Sequence, residues 1–169
     1  MIEYLKRILK DSNIEDIYLT GGVDIENGIA EFYHDLRCIY FEINSKYIEF
    51  ESIDQFSKLR VKVVDSVTND YEMDEDMTKA KTSISQIILN DTMSEGNYIV
   101  NIVFYNLEEQ EELICGAFEM ELANGQVIFL DPSFYFGINV GGKKQKQMWR
   151  DNLEDNTKVT ETCIKLTDR

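Results

Sequence analysis

The chain has 169 residues, with 32 acidic side chains against 17 basic ones and a formal charge of −15. That balance argues against direct binding to nucleic acid or to an anionic membrane, because both need Lys and Arg to displace counterions. With 43% hydrophobic and 29% charged residues, one Pro and nine Gly, the composition is that of a globular protein, and the length suits one domain spanning 1–169.

The opening decapeptide Met1–Lys10 places Ile2, Leu5 and Leu9 on one helical face, so a short helix is expected over 1–11. Charges at Glu3, Lys6 and Arg7 interrupt any signal-peptide apolar core. Ile14–Leu19 reads as a strand and Gly21-Gly22 as a turn. Asp24–Asp35 fits neither period, with Gly28 marking a bend. From Ile39 the period is two. Ile39, Phe41 and Ile43 alternate with Tyr40 and Glu42, and a turn at Asn44-Ser45 leads to Ile48 and Phe50, which alternate with Tyr47, Glu49 and Glu51. This is a hairpin with one wet face. Leu59, Val61 and Val63 give the next strand.

Val67–Lys79 breaks the alternation and reads as an exposed acidic loop. Ser83–Leu89 is expected as a strand and Asn90–Asn97 as a turn. Tyr98–Tyr105 is apolar on both faces, with Ile99, Val103 and Tyr105 assigned to one of them. Leu107–Glu112 is a second acidic turn. Asn124-Gly125 is the strongest hairpin signal; a two-residue turn there would pair Leu122 with Val127 and Met120 with Phe129, all on one face. Phe134–Val140 reads as a strand, Lys143–Leu153 as a helix and Val159–Leu166 as a closing strand. Strands follow strands with few helices between them, so the expected class is mainly β (α+β). The architecture would be an antiparallel sandwich or strongly curved sheet with a short helix near each end.

Several motifs invite chemistry. Gly137 to Lys143 matches the GxxxxGK part of a phosphate loop, but Lys144 stands where Ser or Thr would hold magnesium. The expectation is a glycine turn into a helix with Lys143, Lys144 and Lys146 solvated. An anion site at Gly141, Gly142, Lys143 and Lys144 is the alternative. Asp70, Glu72 and Asp74 resemble a calcium loop, yet the sixth and twelfth positions are Glu75 and Lys81 rather than Gly and Glu. His34, the only histidine, is four residues from Cys38, roughly 13 Å in an extended strand and too far for a Cys–His pair. Cys38, Cys115 and Cys163 are odd in number and lack CxxC spacing, so they read as reduced thiols of a cytoplasmic protein. Trp149 is expected to anchor the last helix to the sheet. No run approaches the ~20 apolar residues of a membrane span. No metal or cofactor is implied, and no catalytic set stands out.

What remains is charge. Asp70, Glu72, Asp74, Glu75 and Asp76 form one dense acidic stretch, and Glu108, Glu109, Glu111 and Glu112 another. On a β scaffold they suggest a non-enzymatic binding protein whose partner is basic. The late segment from Phe134 to Trp149, with its Gly-Gly turn, followed by Asn152, resembles immunity proteins of bacterial polymorphic-toxin systems. The resemblance implies a protein that binds and blocks a cognate toxin, often a basic nuclease. It assigns no contact residues. The alternative is a small-ligand or anion-binding protein, or an enzyme, with its site near the Gly141-Gly142 turn.

Overall fold

A computed structural model of the chain describes residues 1–91, 96–109, 111–133, 137–154 and 157–167. Helix α1 (Ile2–Leu9) comes first, and Leu5 and Leu9, four apart on one face, are buried. Strands β1 (Asp16–Glu26), β2 (Ile29–His34), β3 (Cys38–Ile43), β4 (Lys46–Ile53), β5 (Lys58–Val64) and β6 (Thr78–Ser83) follow, then the single turn of helix α2 (Ser85–Ile88). The second half holds β7 (Ile99–Tyr105), β8 (Glu108–Glu109), β9 (Leu113–Cys115), β10 (Ala117–Leu122), β11 (Val127–Asp131), β12 (Asn139–Gly141), helix α3 (Lys143–Asp151) and β13 (Glu161–Lys165).

These strands form two antiparallel sheets. The first runs β2-β1-β3-β4-β5-β9-β8, with β6 also paired to β1, and the second runs β12-β11-β10-β7-β13. The expected α+β sandwich is therefore the fold. Its core is one cluster shared by both sheets and α1. Rings bridge the sheets: Phe41 packs on Phe50 at 5.4 Å, Phe50 reaches Phe118 across the gap at 4.9 Å, and Phe118 meets Phe104 at 5.0 Å between centroids. The chain passes between sheets at Gly116, which separates β9 in the first from β10 in the second. Helix α3 covers the outer face of the second sheet. There Trp149 is 3% exposed and packs on Tyr105 and Phe129, the anchoring role that its position suggested.

Four local expectations need correction. Gly21-Gly22 is no turn but lies inside β1, and the turn falls later, at Asn27-Gly28, with φ of 53° and 78°. Ser83–Leu89 is not a strand; β6 precedes it and α2 occupies Ser85–Ile88. At the Asn124-Gly125 hairpin the ladder pairs Met120 with Ile128 and Glu119 with Phe129, while the Leu122 N–H donates to the Gln126 carbonyl at 2.9 Å. The loop thus has three residues, ending at Gly125 with φ 81°, and the shift of one sends Phe129 to the helix-covered face. In β7 the ladder steps from Asn101 to Ile99 opposite adjacent residues of β10, so Val100 bulges. The bulge moves Ile99 onto the face of Ile102 and Phe104, in the main core. Within the expected strand Phe134–Val140, β12 covers Asn139–Gly141, and 134–136 lie outside the described residues, as do 92–95 of the expected turn Asn90–Asn97. Among the described residues no helix is long and apolar enough to cross a membrane.

Candidate functional site

The largest departure from a plain sandwich is at the β1 end of the first sheet. Residues 16–18 of β1 pair with β3, and residues 21–26 of the same strand pair with β2. Strand β6 lies along the opposite edge of β1, from Tyr18 to Val23. Strands β2 and β3 are therefore one strand interrupted at Asp35–Arg37. That interruption is fixed locally. The Asp35 N–H donates to the Thr20 carbonyl at 2.6 Å. The buried Asp35 carboxylate accepts the Arg37 N–H at 2.9 Å and two guanidinium bonds at 3.1 and 3.0 Å. Beyond it β1 and β2 continue as a hairpin arm, closed by Asn27-Gly28, whose two positive φ angles match the turn that follows the right-handed twist of the strands.

Register gives the arm two unlike faces. Val23 pairs with Phe32 and Ile25 with Ala30, making an apolar face. Asp24 pairs with Glu31, Glu26 with Ile29 and Gly22 with Tyr33, making an acidic one. The Tyr33 hydroxyl donates to Glu31 at 2.5 Å, and that bond, with the Glu31 charge behind it, holds the phenol above its ordinary pKa.

The acidic loop lies on the same side. The Tyr40 hydroxyl donates to the Thr68 carbonyl at 2.8 Å, and Asn69 Nδ2 bonds the carbonyls of Gly21 at 2.7 Å and Ala80 at 3.0 Å. Tyr71 and Met77 then pack over Gly22. With these side chains turned down, Asp70, Glu72, Asp74, Glu75 and Asp76 are exposed. Among the described residues none of the five has an ion-pair or hydrogen-bond partner for its carboxylate. The neighbouring lysines are engaged elsewhere. Lys79 Nζ donates to the Asn69 carbonyl at 2.5 Å, and Lys81 sits 4.3 Å above the Tyr18 ring. The acidic loop thus meets the arm at Gly22, on the face that carries Asp24, Glu26 and Glu31. Chain order hides this, because β1 and the loop are separated by four strands. The signal was Asn27-Gly28 followed by alternation, which marks a hairpin.

The second acidic stretch behaves differently. Glu108 meets Lys58 at 2.8 Å, and Glu112 meets Arg60 at 3.2 Å. Arg60 also reaches Glu51 at 3.1 Å, and Lys62 faces both Glu49 and Glu51. Strand β5 supplies these cations directly beside β9. Glu111 is exposed and has no ion-pair partner among the described residues, and Glu109 marks the end of β8.

Gly141, Gly142 and Lys143 line a shallow cleft whose other walls mix Ile87, Ile88, Val127, Ile128 and Val140 with Asn90 and Gln126. Lys144 is exposed, and Gly142 leads into α3 without a side-chain cap. Lys146 departs from expectation. It shares a helix face with Trp149 and Arg150, so it turns in, meeting Glu119 at 2.8 Å above the Tyr105 ring. His34 and Cys38 both border a cleft of about 210 Å³ with Leu19, Leu36, Ile84 and Ile138. Burial, then the charges of Asp35, Glu49 and Glu51, push the Cys38 thiol up to about 12. A thiol so protonated is no nucleophile at neutral pH. Among the described residues no three His, Cys, Asp or Glu side chains stand close enough to hold a metal ion.

No protein-family model, no curated protein and no solved structure matches the chain.

Proposed function

We propose that this protein is a non-enzymatic binder that meets a basic protein partner through the acidic arm and loop. In its fullest form the proposal is a cytoplasmic inhibitor of the immunity kind, which covers the cationic working surface of a toxin. One observation carries it. Asp24 stands directly opposite Glu31 in the β1–β2 ladder, on the arm face where Tyr71 of the acidic loop packs at Gly22, and the 70–76 carboxylates of that loop are exposed with no ion-pair partner among the described residues. Like charges in directly opposed positions destabilise a sheet. The Tyr33 hydroxyl bonded to Glu31 offsets only part of this, since it brings no positive charge, and a local rule so broken points to a role outside the fold. A cationic partner would relieve the repulsion on docking. It would also be steered in quickly, since focused charge raises association rates. The apolar face of the arm would supply contact energy that charge alone does not.

The test uses the full chain and the protein encoded by the adjacent reading frame, because a toxin and its inhibitor must be made together. Association should be fast at low salt and slow at high salt. Replacing Asp70, Glu72, Asp74, Glu75 and Asp76 with their amides should reduce the association rate more than it raises the dissociation rate. A neighbour that binds with no dependence on salt or on these carboxylates would refute the charge reading.

The anion site at Gly141-Gly142 has less in its favour. Among the described residues its one lining cation is Lys143, and the Gln126 side-chain amide is spent on the protein's own backbone, at the Asn90 N–H and the Ile88 carbonyl.

A further inference from the structure

The arm carries an open strand edge. Its two-residue turn makes Glu26 and Ile29 a hydrogen-bonded pair, and alternation carries the same pairing to Asp24 with Glu31 and Gly22 with Tyr33. The Asp35 N–H, two residues on, also points to β1, at Thr20. Ala30, Phe32 and His34 therefore turn their N–H and C=O groups away from β1. Among the described residues no strand pairs with β2 on that side; the described chain approaches it at the base, where Gly137 touches the Leu36 backbone. Ile25 and Ile29 near the tip are 67% and 65% exposed.

An edge this long with exposed apolar side chains is a template for strand addition. Charge decides the occupant. A second copy laid against β2 would bring Glu31 of each chain to the same new ladder and oppose two molecules of charge −15. A cationic strand has no such conflict. Added to β2, it would alternate, presenting apolar side chains beside Phe32 and Ala30 and basic ones beside Glu31 and Asp24.

We infer that β2 is the docking edge for an extended segment of the partner in which apolar residues alternate with Lys or Arg. This rests on the proposed binding of a basic partner and names the backbone geometry by which it would be held.

The test uses the full chain and a heptapeptide of alternating Lys and Val, capped at both ends. Binding is followed by titration calorimetry. Three probes run beside it: the same peptide N-methylated at alternate amides, an alternating Glu-Val peptide, and the Lys-Val peptide against the Phe32→Pro variant. Pro at 32 removes an outward N–H and leaves the bonds to β1 in place. Strand addition predicts that N-methylation at alternate amides weakens binding about tenfold or more, the loss of a few backbone hydrogen bonds, and that Phe32→Pro, which removes one, weakens it about three- to tenfold. It also predicts that the Glu-Val peptide does not bind. If the N-methylated peptide binds as tightly as the parent, strand addition is overturned while the charge reading survives. If neither Lys-Val peptide binds, the edge is not a docking site, and the full-length partner decides the charge reading separately. Equal binding of the Glu-Val peptide would overturn the cationic partner. A dimer in sedimentation that Phe32→Pro abolishes would assign the edge to a second copy instead. The N-methylated probe needs no change to the protein, so the result holds even if the Pro variant folds poorly.

Discussion

Asp24 lies directly across the β1–β2 ladder from Glu31, and among the described residues neither carboxylate has an ion-pair partner. The pair should make the arm less stable than it could be and more attractive to a basic surface. Asp24→Lys tests both halves at once. Turning the pair attractive should stabilise the fold by about 0.2–1 kcal/mol, raising Tm by about 2–4 °C per kcal/mol for a chain of this size. The same change should slow association with a basic partner. Thermal melts and binding kinetics on one variant check it. A variant less stable than the parent, or one that binds equally fast, would remove the arm from the site.

The base of the arm depends on Gly21. A Cβ there would fall 1.9 Å from the Tyr33 carbonyl oxygen, a backbone atom with nowhere to go. A Cβ on Gly22 would meet the Tyr71 ring at 3.3 Å, and that ring rides on a loop. Gly21→Ala should therefore cost about 1–3 kcal/mol, as overpacking does. Gly22→Ala should change stability by no more than about 0.5 kcal/mol. Urea melts give the values. Amide exchange at Glu31, Tyr33 and Asp35, whose N–H groups face β1, should quicken in Gly21→Ala alone, since the strain falls on the β1–β2 pairing.

Which parts of this were legible follows from what each feature depends on. The β3–β4 hairpin could be read because alternation and the Asn44-Ser45 turn agree, and both turn residues have positive φ. Gly21-Gly22 misled because a glycine pair signals a turn, whereas here it lets β1 pass close to β2. Ile99 was placed on the wrong face by a one-residue bulge at Val100, which no local pattern announces. Exposure of the 70–76 carboxylates could be inferred from density of charge. The neutralisation of Glu108 and Glu112 could not, because Lys58 and Arg60 reach them through a long-range β5–β9 pairing. The meeting of the 70–76 loop with the arm face of Asp24, Glu26 and Glu31 is likewise a product of strand order.

Trp149 is the only tryptophan, and it reports on the docking of α3. Its ring lies 5.3 Å from Tyr105 and 5.7 Å from Phe129, on the face of the second sheet opposite the main core. Trp149→Ala should destabilise by about 3–5 kcal/mol, the usual cost of emptying a buried aromatic site. In the parent the emission should lie to the blue, resist acrylamide, and shift red in the same transition that the far-ultraviolet signal reports. If emission shifts before the rest of the fold melts, α3 undocks on its own and the two clusters are separately stable.

The thiols give a prediction with a definite sign. Burial pushes Cys115 up to about 12, and burial followed by nearby carboxylates does the same to Cys38. In the unfolded chain both would titrate near about 9. A group whose pKa is raised by folding contributes stability that is whole below the unfolded value and is lost as pH climbs through the folded one. Between about pH 9 and 12 the unfolded state releases protons that the native state keeps, so stability should fall across that window. Exposed Cys163 should be the one thiol that iodoacetamide modifies in the native protein near neutral pH, with Cys38 and Cys115 reacting only on unfolding. Mass spectrometry of the alkylated peptides distinguishes the three. Cys38→Ala together with Cys115→Ala should flatten the alkaline decline; an unchanged slope would mean that these thiols do not report on the core.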